Sequence, residues 1–360
     1  MSVSVRRAGA LVAAPLATLG LVVGAFAGPA TASPDARSGD WLVGQLHHGV
    51  MHNQQYDFDD DGLTIDAALA LKQIGHHAAA IRRIRAAVAD DVRTYTSGGK
   101  RSSERYAGAL AKTTVLAQIS GGRARHFGGI NLVRRVVARV GTDGPSRGRL
   151  ADHSQYGDYA NVIGQAFAAR ALSVAGADRA HSAVRFLLRQ QCDAGYFRLD
   201  LTPSKTAKNQ SCEGGRKSGD SAPDTDVTAL AVIELHALPK RGAAVRHAIK
   251  HAGRWLARHQ LDNGSFGGGT STKGANTNST GLAASALKIA RRHAAATHAA
   301  RWVERFQTTS THGKLADERG AIAYDAAALR AGKHDGITDA TRDQWRRATA
   351  QAAPALRLLG

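Results

Sequence analysis

Residues 186–197 read Phe186-Leu187-Leu188-Arg189-Gln190-Gln191-Cys192-Asp193-Ala194-Gly195-Tyr196-Phe197. Residues 255–266 read Trp255-Leu256-Ala257-Arg258-His259-Gln260-Leu261-Asp262-Asn263-Gly264-Ser265-Phe266. Both are aromatic, Leu, three residues, Gln, three residues, Gly, one residue, Phe, with every spacing kept. Trp302-Val303 to Gln307 repeats the front half, and Trp41-Leu42 to Gln45 repeats it with one residue fewer. A unit that recurs in this way cannot bury its own apolar face and is stabilised by stacking on its neighbours.

A second family alternates with the first. It is a small-residue segment that ends in leucine and has a polar residue eleven positions earlier: Asp60 to Leu71, Asn161 to Leu172, Asp224 to Leu235, Asn276 to Leu287 and, more loosely, Glu318 to Leu329. Tyr106 to Ile119 fills the gap in order, with Arg105 at the corresponding position. Between these lie amphipathic basic segments, Ala78 to Val92, Leu132 to Val140, Ala180 to Gln191 and Ala243 to His259, whose Arg and Lys fall largely on one face. No run shows the period-2 alternation of a sheet strand. The pattern predicts an all-α chain: a single α/α toroid of about six helix pairs, with an alanine-rich inner ring wrapped by an amphipathic outer ring. It spans residues 41–360, after a short linker at 33–40.

The 360 residues carry 48 Lys+Arg against 29 Asp+Glu, and 43% are hydrophobic, enough for a real core and against disorder. Arg6 and Arg7 lead an apolar run from Ala8 to about Gly28, and Ala30-Thr31-Ala32 offers a small-x-small cleavage pattern. Residues 1–32 therefore read as a secretory signal peptide, with no membrane span after its cleavage. A secreted, extracellular protein is expected, and its basic outer helices suit association with anionic cell-envelope polymers through long-range attraction. In that compartment Cys192 and Cys212, the chain's two cysteines, are expected to form a disulfide.

The aromatic-Leu-Gln-Gly-Phe segments resemble the QW-type repeats of terpenoid cyclases. The inner segments resemble those of the prenyltransferase and squalene-cyclase toroid superfamily, over about 320 residues, nearly the whole mature chain. Squalene-hopene cyclases carry a Pro-Asp-x-Asp-Asp-Thr-Ala motif whose middle aspartate protonates the substrate. The matching stretch here is Pro223-Asp224-Thr225-Asp226-Val227-Thr228-Ala229, so the resemblance makes Asp226 the candidate general acid, with Asp224 beside it. Val227 replaces the last acid. A second string, Asp57-Phe58-Asp59-Asp60, precedes another inner segment without the Thr-Ala. Independently of the resemblance, Asp60, Asn161, Asp224 and Asn276 are well placed to cap helix N-termini.

Other functions that the same fold hosts find less support. Nineteen aromatic residues are few for a cavity that must stabilise carbocations. No Asp-x-Cys pair matches the zinc site of protein prenyltransferases, no Cys-Gly-Glu-Gln thioester string is present, and the histidines do not share a face with acids. No metal and no cofactor is implied, and a basic exported chain with few interleaved aromatics is not expected to bind nucleic acid. The toroid instead predicts polar groups gathered at one mouth, where the inner-helix N-termini meet: Asp57, Asp59, Asp60, Asp66, Asp158, Asn161, Asp224, Asp226, Asn276, Asn278 and Tyr324. Lys112, in the middle of an inner segment, requires a partner such as Asp66. These residues predict a monomeric secreted protein that binds a small amphipathic or cofactor-like molecule in the central cavity. The alternative is an enzyme of the same fold, either an isoprenoid cyclase or transferase using Asp226 or a polysaccharide-active enzyme using paired carboxylates.

Overall fold

The computed structural model describes residues 32–218 and 221–360, and the signal-peptide reading of the N-terminus lies outside the described residues. Helices occur at α1 (Pro34–Gly44), α2 (Asp61–Ile74), α3 (Ala78–Asp90), α4 (Val92–Ser97), α5 (Ala107–Ile119), α6 (Leu132–Val137) and α7 (Val162–Val174). They continue as α8 (Ala180–Leu188), α9 (Thr225–His236), α10 (Ala243–His259), α11 (Thr277–Ile289), α12 (His293–Glu304), α13 (Ala326–Asp335) and α14 (Asp339–Leu356). The only sheet among the described residues is a hairpin of β1 (His52–Asn53) and β2 (Phe58–Asp59), with His52 opposite Asp59 and Asn53 opposite Phe58.

Six helices close a ring: α2 packs on α5, α5 on α7, α7 on α9, α9 on α11, α11 on α14 and α14 back on α2. Outer helices α3, α6, α8, α10 and α12 each follow and pack against an inner one, α2, α5, α7, α9 and α11 in turn, and α1 packs against α14. Small residues allow the inner helices to approach closely. A Cβ on Gly164 of α7 would lie 3.1 Å from the Gly108 Cα of α5, and one on Gly281 of α11 would lie 2.4 Å from the Ala352 Cα of α14.

The polar residues eleven positions before the leucines are caps. Asp60 Oδ1 accepts from the Leu63 N–H at 2.8 Å, Asn161 Oδ1 from Gly164 at 3.0 Å, Asp224 Oδ1 from Val227 at 2.9 Å and Asn276 Oδ1 from Ser279 at 2.9 Å. A second bond recurs four residues after each cap. There the helix side chain accepts the N–H of an incoming loop residue: Thr64 from Met51, Gln165 from Leu150, Thr228 from Phe197 and Thr280 from Phe266. Buried loop amides are thereby satisfied, and each loop is locked to its inner helix.

Two expectations are corrected by this register. The sixth inner helix is α14, not the segment ending at Leu329. Thr349 of α14 takes the Ile322 N–H at 2.8 Å, which puts Trp345 at the cap level and Leu356 eleven residues on. Leu71, Leu172, Leu235, Leu287 and Leu356 are all fully buried, whereas Leu329 lies on the short helix α13 and is half-buried. Glu318, the polar residue eleven positions before Leu329, does not cap that helix; Asp325 caps α13 through the Ala328 N–H. Residues 33–40 are not a linker: they enter α1, which packs on α14 and α2 and closes the ring.

The outer repeats are explained by their glutamines. Gln191 Nε2 donates to the Gly195 and Ala248 carbonyls, and Gln260 Nε2 to those of Gly264 and Ala295, so each ties its own turn to the next outer helix. Gln307 Nε2 donates to the Pro34 carbonyl at 2.6 Å, joining the two ends of the ring. Gly195 and Gly264 have φ of +112° and +91°, and a Cβ there would come within 2.9 Å and 2.8 Å of the His251 and His298 carbonyl oxygens. Glycine is therefore required at both turns. Cys192 and Cys212 form a disulfide with Cα atoms 5.0 Å apart. Closing a loop of this length contributes about 3 kcal/mol.

Candidate functional site

The ring encloses a cavity of about 690 Å³ lined by all six inner helices. Counted from the cap level, positions six, nine and thirteen face it: Asp66, Leu69 and Gln73 on α2, Leu230, Ile233 and Ala237 on α9, and Leu282, Ser285 and Ile289 on α11. From Trp345, positions six and nine give Gln351 and Pro354 of α14. Helical geometry causes this, because three- and four-residue steps stay on one face.

The cavity has two unlike arcs. Leu230, Ile233, Leu282, Ile289, Ala350 and Pro354 make one wall apolar. The other arc carries two cross-helix ion pairs. Lys112 Nζ of α5 lies 2.7 Å from Asp66 Oδ1 of α2 and donates to the Gly62 carbonyl at 2.9 Å. Arg170 Nη1 of α7 lies 3.1 Å from Glu234 Oε2 of α9. Burial tends to lower the Lys112 ammonium, but Asp66 and Tyr95 outweigh it and hold its pKa above the ordinary value. Burial raises the Glu234 carboxyl, with Arg170 opposing. Tyr95 and Phe167 complete this side.

The expected single mouth divides into four places. Asp66, Lys112 and Asn161 line the cavity. Asp57 and Asp59 instead sit on the hairpin and flank His52, at 3.5 Å from Nε2 and 2.9 Å from Nδ1, and Asp60 pairs with Arg347 while capping α2. Asp158 belongs to a loop network with Lys205 at 2.9 Å and Arg149 at 3.6 Å. The cavity runs mainly along the C-terminal halves of α2, α9, α11 and α14 and the N-terminal halves of α5 and α7, and reaches the N-terminal rim near Tyr106, Asp152, Tyr159 and Asn161.

Asp224, Asp226, Asn276, Asn278 and Tyr324 form a separate group at the N-termini of α9 and α11. Asp226 stands one turn before Leu230, on the stripe that faces the cavity, although its carboxyl is not part of the lining. Glycines 267–269 cover the two acids: a Cβ on Gly268 would lie 2.6 Å from Asp226 Oδ2, and one on Gly269 2.1 Å from Asp224 Oδ2. Asp226 Oδ1 and Asn278 Oδ1 are shut off from solvent and have no hydrogen bond. The Asp226 pKa is pushed up to about 6, chiefly by burial and also by the Asp224 charge, with the Ser279 hydroxyl partly offsetting them. Asp224 is raised by burial against two backbone hydrogen bonds. Tyr324 is raised too, by burial and then by Asp226.

Arg170, Glu234 and Asp61 are not signalled by any motif. Arg170, nine residues after the Asn161 cap, lies on the cavity-facing stripe and can be counted from it, whereas Glu234, ten after Asp224, falls one position off that stripe. Asp61, the residue after the α2 cap, is buried with an unpartnered Oδ1, and its pKa is pushed up to about 7 by burial and by Asp91, Asp59 and Asp60. Among the described residues no group of acids, histidines or cysteines is arranged to hold a metal ion, and no helix is long and apolar enough to cross a membrane.

No protein-family model matches the chain, and no curated protein does. Solved structures do. A protein from Actinoplanes is 20% identical with a TM-score of 0.58, over 90% of this chain and 98% of that one. The type II terpene cyclase MstE from Scytonema is 13% identical with a TM-score of 0.60, over 91% and 97%. Unsaturated glucuronyl hydrolase from Bacillus sp. GL1 is 11% identical with a TM-score of 0.57, over 89% and 95%. The likeness establishes the fold: the chain is an α/α toroid, a fold it shares with a terpene cyclase and with a glucuronyl hydrolase.

Proposed function

We propose that this is a secreted toroid protein that binds a small amphipathic molecule in its central cavity. The observation that carries this reading is the cavity of about 690 Å³, apolar on one arc and bearing two ion pairs on the other. Its size falls in the range typical of small-molecule sites, and a few polar groups on an apolar wall fix a ligand's orientation. An apolar face of the ligand would lie against Leu230, Ile233 and Leu282, and its polar edge against Lys112 and Arg170. Extraction of the protein purified from its native host, followed by mass spectrometry of the extract, tests the reading. It expects one enriched small amphiphile, and an extract free of any such compound counts against it.

An enzymatic reading is favoured by one observation, the raised Asp226 carboxyl on the cavity-facing stripe. A general acid needs a pKa near the working pH, and burial supplies that shift. The substrate would be a polyprenoid, as the terpene cyclase neighbours suggest, or a glycan, as the hydrolase neighbour suggests. Asp226→Asn keeps shape and removes the transferable proton. Turnover of a polyprenoid or an unsaturated glucuronide that falls roughly 100-fold or more in this variant would establish catalysis. Binding that survives the substitution supports the carrier reading.

A further inference from the structure

We infer that the outer wall built by α8, α10 and α12 binds a linear phosphate-rich polyanion. Residues 179–189, 241–259 and 291–305 together hold twelve Lys and Arg against a single acid, Glu304. Gln191 joins the turn after α8 to α10, and Gln260 joins the turn after α10 to α12, so the three segments are neighbours on one outer face. On α10 the basic residues Arg246, Lys250, Arg254 and Arg258 recur every four residues. A helix rises about 1.5 Å per residue, so this row repeats at about 6 Å over roughly 18 Å.

Among the described residues no acid pairs with this row. Like charges four apart on a helix repel one another, and α10 contains no acid to relieve them. Arg246 reaches only the Arg241 carbonyl, Arg258 reaches only the Ala194 carbonyl at 3.4 Å, and Lys250 is exposed. The outer helix α3 differs, since it carries an acid of its own at its C-terminal end, Asp90, and is followed by Asp91. The row winds by about 40° per four-residue step, and such a shallow spiral of evenly spaced cations suits a flexible chain of anions that can follow it better than it suits one small anion. The polymer is expected to lack bases. Stacking platforms need exposed aromatics, whereas Phe186, Trp255 and Trp302 are buried and the exposed rings Tyr56, Phe58, Tyr156 and Tyr159 lie in segments outside this wall. The inference is independent of what the central cavity holds.

The test measures binding of the full chain to long-chain inorganic polyphosphate as a function of salt, with single-stranded DNA homopolymers as a second arm. The triple variant Arg246→Glu, Lys250→Glu, Arg258→Glu is compared with Arg82→Glu, Arg83→Glu, Lys100→Glu, which makes the same charge change on the α3 side. The expected result is a slope of log affinity against log salt that is shallower by about two to three in the α10 variant and by less than one in the α3 variant. Equal losses in the two variants would overturn the proposal, because net charge alone would then explain binding. Tighter, base-dependent binding of DNA than of polyphosphate would overturn it as well. If the α10 reversal fails to fold by circular dichroism, Arg246→Gln, Lys250→Gln, Arg258→Gln removes the charges without reversing them and is read against the same slopes.

Discussion

Charged groups of the same types occupy two regions of the toroid and are treated differently. Along the cavity, Lys112 meets Asp66 at 2.7 Å and Arg170 meets Glu234 at 3.1 Å. At the N-terminal ends of the inner helices, Asp61 is buried and Asp226 is half-buried with its Oδ1 shut off from solvent, and neither forms an ion pair among the described residues. The difference teaches what each region does at neutral pH. The cavity wall keeps fixed, mutually neutralising charges that can orient a ligand without titrating. The acids at the helix starts hold their protons into the pH range where most carboxyls have lost them.

Breaking a cavity pair should have the largest effect. Lys112→Met leaves Asp66 facing an apolar wall, and such a loss typically costs about 3–5 kcal/mol. Lys112→Met combined with Asp66→Leu should recover most of that stability in chemical denaturation, because the isolated charge is gone. A double variant no more stable than the single would contradict the pairing.

The unpaired acids should respond in the opposite direction. A carboxyl with a pKa near 7 in the folded chain and an ordinary value of 3.8 binds its proton more tightly when folded. Its contribution to stability is therefore greatest below pH 4 and is lost as the pH rises through 7. Asp61→Asn should raise stability by roughly 1–2 kcal/mol at pH 8, allowing for partial solvent screening, and by almost nothing at pH 4. Denaturant melts at the two pH values check this, and a destabilised variant at pH 8 would show that the Asp61 charge is needed. Asp226→Asn should show the same sign with less than about 1 kcal/mol, fading below pH 6, since asparagine preserves the local shape. The smallest effect is expected at the rim. Asp57 is 96% exposed beside His52, so Asp57→Asn should leave the melting temperature unchanged within error, as exposed pairs contribute little.

Much of the fold was legible because repeats impose the same physical demand several times. Five cap-to-leucine segments and two complete glutamine repeats fixed an all-α ring, and four of the five polar residues are indeed caps of inner helices. The pairing of Lys112 with Asp66 followed from the cost of burying a lone ammonium. The sixth helix was misplaced because Glu318 stands eleven residues before Leu329 by sequence alone, although Asp325 is the residue that caps α13, while α14 begins with polar turns and reaches the ring only at Trp345. The hydroxyl four residues past the cap, present at Thr64, Thr228, Thr280 and Thr349, is the signal that separates them.

The candidate site was less legible. Helix starts were expected to converge on one ligand mouth, but their polar groups satisfy caps, the hairpin and loop bonds, and the space lies deeper along the ring. Side chains such as Arg170 and Glu234 gain meaning only once the ring closes and brings α7 against α9. Asp61 was hidden in a run of acids, where position alone does not tell a capping carboxyl from a buried one.

The central claim, that the cavity holds a small amphipathic molecule, is tested most directly by native mass spectrometry of the full chain from its native host beside the variant Ser285→Trp. Ser285 lines the cavity and takes part in neither ion pair, so an indole there fills space while the charged residues are kept. The account predicts one adduct of roughly 300–500 Da on the wild type, a mass suited to a cavity of this size, and its loss from a variant that remains folded by circular dichroism. A wild type without any adduct, or an adduct retained by Ser285→Trp, would contradict it.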